Sequence, residues 1–212
     1  MLFRRITSPG SPKPAQFIAA AQTGNASASP SPNLIINKPA GTAQGDLMIA
    51  VVSRVESANG TWTPPAGWTE TADQGNAPGL SIAWKIAGAS EGANYTFVHA
   101  SSKLLAGAIL TYRGGAYGLT GAFSTATAPT AVAAPSITPT AANALVLAAY
   151  AEAAAATWTT PSGFTNRVTI STNGGISVSD KVTGPPAASG AVSATPSGTA
   201  VCAGILVSIN PA

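Results

Sequence analysis

The side chains able to do chemistry are few and scattered. His99 is the single histidine and Cys202 the single cysteine. His99 falls on the strand face shared with Tyr95 and Phe97, but a nucleophile–base pair needs a second group that no motif supplies. The serine-hydrolase elbow G-x-S-x-G is absent, so His99 reads as an ordinary strand-end residue. The seven acids, Asp46, Glu56, Glu70, Asp73, Glu91, Glu152 and Asp180, are dispersed. They form no calcium-loop spacing and no ligand set with His or Cys, and a glycosidase would need two of them to converge. The expectation is no catalytic residue, no metal and no cofactor. Asp180 shares a register with Ile176, Val178 and Val182, and an inward carboxylate must be hydrogen-bonded. A turn-fixing role is expected for it. Cys202 lies in the apolar run Ala200-Val201-Cys202-Ala203-Gly204-Ile205-Leu206 and reads as a small buried hydrophobe. One cysteine excludes an intramolecular disulfide and a four-cysteine zinc site.

Tryptophan offers the other opening for function, because exposed indole rings stack on sugars. Trp84 lies in the apolar register of its strand and reads as core. Trp62 and Trp158 recur at the entrance of a repeated turn, where a ring covers a proline. Packing is the leading reading for all four tryptophans. A host glycan held by Trp62 and Trp158 is the alternative.

That repeated turn organises the chain. Trp62-Thr63-Pro64-Pro65-Ala66-Gly67-Trp68-Thr69 returns 96 positions on as Trp158-Thr159-Thr160-Pro161-Ser162-Gly163-Phe164-Thr165. Leu80-Ser81-Ile82-Ala83-Trp84-Lys85-Ile86 matches Ile176-Ser177-Val178-Ser179-Asp180-Lys181-Val182 at the same offset. Gly and Pro together number 39, which interrupts the chain too often for long helices. Strand patterns are read near residues 34–37, 46–55, 68–73, 80–87, 95–100 and 106–113. A Thr/Ala/Pro-rich bridge over 120–135 leads to a second set near 145–151, 165–171, 176–182, 190–194 and 202–209. Residues 141–156 are alanine-rich and favour helix by propensity. The repeat places residues 144–151 opposite a clear strand, so strand is expected there and irregular structure over 153–156. The fold class predicted is all-β, an antiparallel, jelly-roll-like β-sandwich built from a pseudo-repeat of about 96 residues. One domain over 32–212 is expected, with halves of about 32–119 and 135–212.

Charge is sparse: 8% of residues, against about 25% in an ordinary soluble domain. Arg4, Arg5 and Lys13 precede every acid, and beyond them seven basic residues balance seven acidic ones. The pI near 9.2 therefore belongs to the N-terminal segment, and a nucleic-acid partner is not expected. Residues 1–31, rich in Ser, Pro and Gly, read as an extended arm that cannot order itself. Phe3, Arg4, Arg5, Lys13, Phe17 and Ile18 are its expected contacts with a partner. Pro9, Gly10, Pro12 and Pro14 stand where a signal peptide needs an apolar run, and no stretch approaches a membrane span. Synthesis in a host cytoplasm without export, and no membrane partner, are the expectations.

The order Gly45-Asp46-Leu47-Met48-Ile49-Ala50-Val51-Val52-Ser53, Pro65-Ala66-Gly67-Trp68-Thr69, Ile82-Ala83-Trp84-Lys85-Ile86-Ala87, Tyr95-Thr96-Phe97 and Leu110-Thr111-Tyr112-Arg113-Gly114 resembles a recurrent β-sandwich module. Modules of this type occur in bacteriophage virion proteins, capsid decoration and tail-fibre proteins among them, and in some bacterial surface proteins. The resemblance covers about residues 33–210 and rests on turns and core strands, so it carries no catalytic residues. It implies a non-enzymatic virion protein, with capsid decoration first and tail or fibre attachment second. Partners expected are other virion proteins, through the arm, and further copies of the chain.

Overall fold

The computed structural model describes residues 11–24, 30–55, 60–76, 78–127 and 129–212. Every regular element among them is a strand. The first half holds β1 (Gln16–Gly24), β2 (Ser31–Asn37), β3 (Leu47–Arg54), β4 (Trp62–Thr63), β5 (Thr69–Gln74), β6 (Gly79–Ile86), β7 (Asn94–Lys103) and β8 (Leu105–Arg113). The second holds β9 (Gly115–Thr120), β10 (Ser124–Ala126), β11 (Val132–Ala134), β12 (Leu145–Glu152), β13 (Trp158–Thr159), β14 (Thr165–Thr169), β15 (Ile176–Val182), β16 (Val192–Pro196) and β17 (Cys202–Pro211).

These strands form four antiparallel sheets. One large sheet runs β1-β8-β3-β6-β5 and the other β10-β17-β12-β15-β14, with β9 also paired to β17. The two small sheets run β2-β7-β4 and β11-β16-β13. Strand order within the first pair of sheets matches strand order within the second.

Side-chain alternation then fixes the stacking. In β3, Leu47, Ile49 and Val51 enter one core together with Leu145, Leu147 and Ala149 of β12 and Ile205, Val207 and Ile209 of β17. The large sheets therefore pack on each other. The opposite face of β3, with Met48, Ala50 and Val52, meets Leu34, Ile36, Trp62 and Phe97 of the first small sheet. Val146, Ala148 and Tyr150 of β12 likewise meet Val132, Ala134, Trp158 and Ala194 of the second. The layer order is small, large, large, small. Strands β3 and β12 are buried along their whole length, as central strands covered on both faces must be.

The all-β sandwich expected from the sequence is present as two large sheets packed face to face, each covered outside by a small sheet, and the middle interface joins the two halves. The alanine-rich segment is strand, as its counterpart required. Small side chains there let two layers approach β12 from opposite sides, and residues 153–156 are irregular. The bridge over 120–135 carries β10 and β11, which its composition concealed.

The N-terminal expectation is corrected most. Residues 16–24 do not await a partner; β1 pairs antiparallel with β8, with a register shift between Phe17 and Ala19. Phe17 packs edge-on against Tyr112, with ring centroids 5.6 Å apart, and Ile18 is half-buried beside Gly41. An edge of β8 supplies the hydrogen bonds that a Pro- and Ser-rich segment lacks on its own. Lys13 is exposed, while Phe3, Arg4 and Arg5 lie outside the described residues.

Glycines set the closest approaches. Both tryptophan turns close by a hydrogen bond, Trp68 N–H to the Pro65 carbonyl and Phe164 N–H to the Pro161 carbonyl, at 3.1 Å each. Gly67 and Gly163 take the positive φ (81° and 77°) that the third turn position needs. Gly107 of β8 lies under the small sheet, where an added Cβ would sit 2.8 Å from Leu34 and 2.9 Å from Val52. Gly107→Val should cost about 1–3 kcal/mol through overpacking, read as a lower urea midpoint with an unchanged slope.

Candidate functional site

A buried polar cluster joins the two large sheets at one corner of the middle interface. Strand β15 turns Ile176, Val178 and Asp180 toward the middle interface, and Ser177, Ser179 and Lys181 alternate to the other face. Asp180 is buried and reaches across the interface. The Tyr112 hydroxyl on β8 donates to its Oδ2 at 2.9 Å. Arg167 Nε on β14 donates to the same carboxylate at 2.9 and 3.0 Å. The Arg167 guanidinium carbon stands 4.3 Å from the Phe17 ring centroid, so β1 closes the cluster. Burial, and next the Asp180 charge, push the Tyr112 hydroxyl well above the ordinary tyrosine range. It stays a donor. Asp180 therefore ties sheets together instead of fixing a turn.

The position 96 residues earlier shows what was exchanged. Trp84 occupies the place of Asp180 and stacks on Tyr117, 5.2 Å between centroids and 7° between planes. Thr71 occupies the place of Arg167, its Oγ1 2.8 Å from the Tyr117 hydroxyl. An indole fills this corner in the first half; a carboxylate and a guanidinium span it in the second. Beside them opens a cleft of about 360 Å³, lined by Ala15, Phe17, Arg167, Asp180 and Lys181 among others. A second cleft, of about 340 Å³, lies across Lys181 and is lined by Pro161, Phe164, Val192 and Ser193 among others. Lys181 is exposed, and no carboxylate pairs with it among the described residues. The arrangement presents one uncompensated ammonium beside an aromatic ring, which suits anion recognition.

The residues singled out from sequence lie elsewhere. Trp62 and Trp158 are 4% and 8% exposed, enclosed between a small and a large sheet, so neither offers a face to a sugar. Trp62 packs edge-on against His99 at 5.4 Å, and Trp158 lies 5.5 Å from Tyr150. His99 is buried inside β7, its Nδ1 2.8 Å from the Ser101 carbonyl oxygen. Cys202 is fully buried; burial, then the Glu152 carboxylate, push its thiol up to about 12, which keeps it unreactive.

Asp46 is held by both Arg113 Nε (2.9 Å) and Nη2 (2.8 Å) and by the Ala43 N–H (2.8 Å). Burial alone would raise its carboxyl, but those bonds and the Arg113 charge outweigh it and hold the group below the usual range. Arg54, 0% exposed, meets Asp73 at 3.1 Å. Glu56 lies outside the described residues. Among the described residues no three His, Cys, Asp or Glu side chains gather as a metal site. Sequence reasoning missed Tyr112, Arg167 and Lys181, although the offset of 96 pairs each of the last two with a counterpart of different surroundings. No known protein family, characterised protein or solved structure matches the chain.

Two tests follow from these polar groups. Asp180→Ala leaves a buried hydroxyl and a partly buried guanidinium without an acceptor and should cost about 2–3 kcal/mol. Tyr112→Phe added to Asp180→Ala should then cost almost nothing more, a coupling read by a double-mutant cycle in urea. Glu152 is fully buried, with Oε1 accepting from Ala200 N–H at 3.0 Å and Oε2 unpartnered. Burial raises its carboxyl more than the Ala200 bond lowers it. A folded-state pKa above the unfolded value makes the ionised group a cost at neutral pH, and that cost shrinks as pH falls through the folded pKa. Glu152→Gln should melt at or above wild type at neutral pH, and its advantage should fade on acidification.

Proposed function

We propose that the chain is a non-enzymatic structural protein of a bacteriophage particle, standing on its exterior, with capsid decoration as the first reading and tail or fibre attachment as the second. The observation that carries the structural part is the use of charge in the body. Asp46–Arg113, Arg54–Asp73 and Arg167–Asp180 are each spent on joining one strand to another, and apolar side chains fill three continuous cores. A body of this kind supplies rigidity and a neutral surface. The particle part rests on the likeness of residues 45–53, 65–69, 82–87, 95–97 and 110–114 to virion β-sandwich modules. In the same reading the two halves descend from one duplicated, jelly-roll-like unit, which accounts for their common strand order and the offset of 96 residues.

Anchoring falls to the basic N-terminal segment with Arg4, Arg5 and Lys13, since Phe17 and Ile18 are already engaged in the body. Strand addition to a neighbour's sheet edge is one way such a segment binds. Further copies of the chain are expected beside it on the particle.

Particles made by the phage or prophage that encodes the chain provide the test. Gold-labelled antibody against the β body should decorate the outside of intact particles. A chain lacking residues 1–10 should unfold at the wild-type temperature yet be missing from purified particles. Unlabelled particles would overturn the particle reading; full incorporation of the shortened chain would overturn the anchor alone.

A further inference from the structure

Lys85 and Lys181 hold equivalent positions, each folded over the glycine of its tryptophan turn. Lys85 Nζ lies 3.7 Å from a Cβ built on Gly67, and Lys181 Nζ 3.3 Å from one built on Gly163. Their surroundings then part. Lys85 pairs with Glu91 at 2.8 Å. The Tyr95 hydroxyl donates to the same carboxylate oxygen at 2.7 Å, and the Gly88 N–H to the other at 2.6 Å. Trp68 packs edge-on against Tyr95 with centroids 5.2 Å apart. An ammonium, a carboxylate and two aromatic rings thus complete this corner in the first half.

The second half keeps the frame and lacks the filling. Phe164 stands for Trp68 and Lys181 for Lys85, by the same offset. The cross-strand pairs Trp62↔His99 and Trp158↔Pro196 align β7 with β16 and put Val192 where β7 has Tyr95. Ala187 stands at the place of Glu91, and no acid follows Asp180 in the chain. A cleft of about 340 Å³ opens between Phe164, Lys181, Val192 and Ser193, with Phe164 and Lys181 the counterparts of residues that surround the Tyr95 ring in the first half. That volume lies within the range of small-ligand pockets, about 300–1,000 Å³. Lys181 Nζ stands 5.9 Å from the Phe164 ring centroid, at the cleft wall, and Asp180 is turned to the other face of β15 and held by Arg167.

We infer that this cleft binds a carboxylate carried on an aromatic ring. The carboxylate would meet the Lys181 ammonium as Glu91 meets Lys85, and the ring would lie against Phe164 over Val192 in the volume Tyr95 fills in the first half. Ser193 also lines the cleft. Both a free aryl acid and a polypeptide ending in tyrosine carry this chemistry. The inference is independent of any place on a phage particle.

The probe is para-hydroxyphenylacetate, titrated into the full chain at low salt near neutral pH and followed by calorimetry and by amide chemical shifts. Saturable binding at one site is expected, with the largest shifts at Phe164, Lys181 and Ser193. The neutral analogue para-hydroxyphenylacetamide should bind at least about tenfold more weakly, and Lys181→Gln should weaken the acid by a similar factor. Lys181 is exposed, so that variant should unfold as wild type does. Val192→Tyr refills the ring's space and should abolish binding, and Glu91→Gln, in the other half, should leave it unchanged. Running the peptide Gly-Gly-Tyr in parallel distinguishes a chain terminus from a free acid by which binds more tightly. No saturation by about 10 mM of either probe, equal affinity for acid and amide, or binding that survives Lys181→Gln overturns the site.

Discussion

The constraint on which the structure depends is that both large sheets are covered on both faces. A strand in such a position can carry almost no polar side chain, since each unpaired polar group in a dry layer costs about 1–3 kcal/mol. Strands β3, β8, β12 and β17 meet this with Leu, Ile, Val and Ala. Fully buried Leu, Ile or Val side chains contribute about 1.5–3 kcal/mol each, so these strands supply much of the stability of a chain poor in large aromatics. The middle core also joins the two halves, since both contribute to it. Removing one half would expose an apolar face built from Leu47, Ile49, Val51, Leu80, Ile82 and Leu110, far more than a soluble surface tolerates in one patch.

Charge also closes the ends of the central strands. Arg54 and Glu152 close β3 and β12 at matching positions, and both are fully buried. Arg54 finds an acid and backbone carbonyls: Asp73, the Gly60 carbonyl and the Gln74 carbonyl at 3.3 Å. Glu152 finds a single backbone N–H from Ala200. A cation and an anion can occupy the same strand end because a chain leaving a sheet exposes both kinds of unpaired backbone group. The partners nearby decide which charge is comfortable. By that measure Arg54 is well served and Glu152 is not.

Much of this order could be read in the sequence, and the failures have physical causes. Leu47–Val52 without polar residues already required cover on two sides, and the repeat correctly turned the alanine-rich segment into a strand against its propensity. The two small covering sheets were not legible, because period-two alternation reports burial of a face and not what buries it. The first strand was missed because Ser and Pro on both sides of Gln16–Gly24 suggested an arm, while its pairing strand lies some ninety residues away. Distance in sequence also hid the Asp180 cluster. The inward register of Asp180 was legible, but Tyr112 and Arg167 come from two other strands, and no local pattern links them.

The two halves fill matching strand positions at the middle interface in different ways. At the middle interface Trp84 faces Tyr117, and Asp180 faces Tyr112 with Arg167. These are separate corners of one interface: β6 lies against β12 in the first, β15 against β3 in the second. One corner is filled by an indole stacked on a phenol, the other by a carboxylate shared between a hydroxyl and a guanidinium. An ion pair bridges space that a ring would fill, and beside Arg167 and Asp180 a cleft opens toward Phe17 and Lys181. The way the two halves are seated on each other and the cleft beside Phe17 and Lys181 thus meet at the same charged corner.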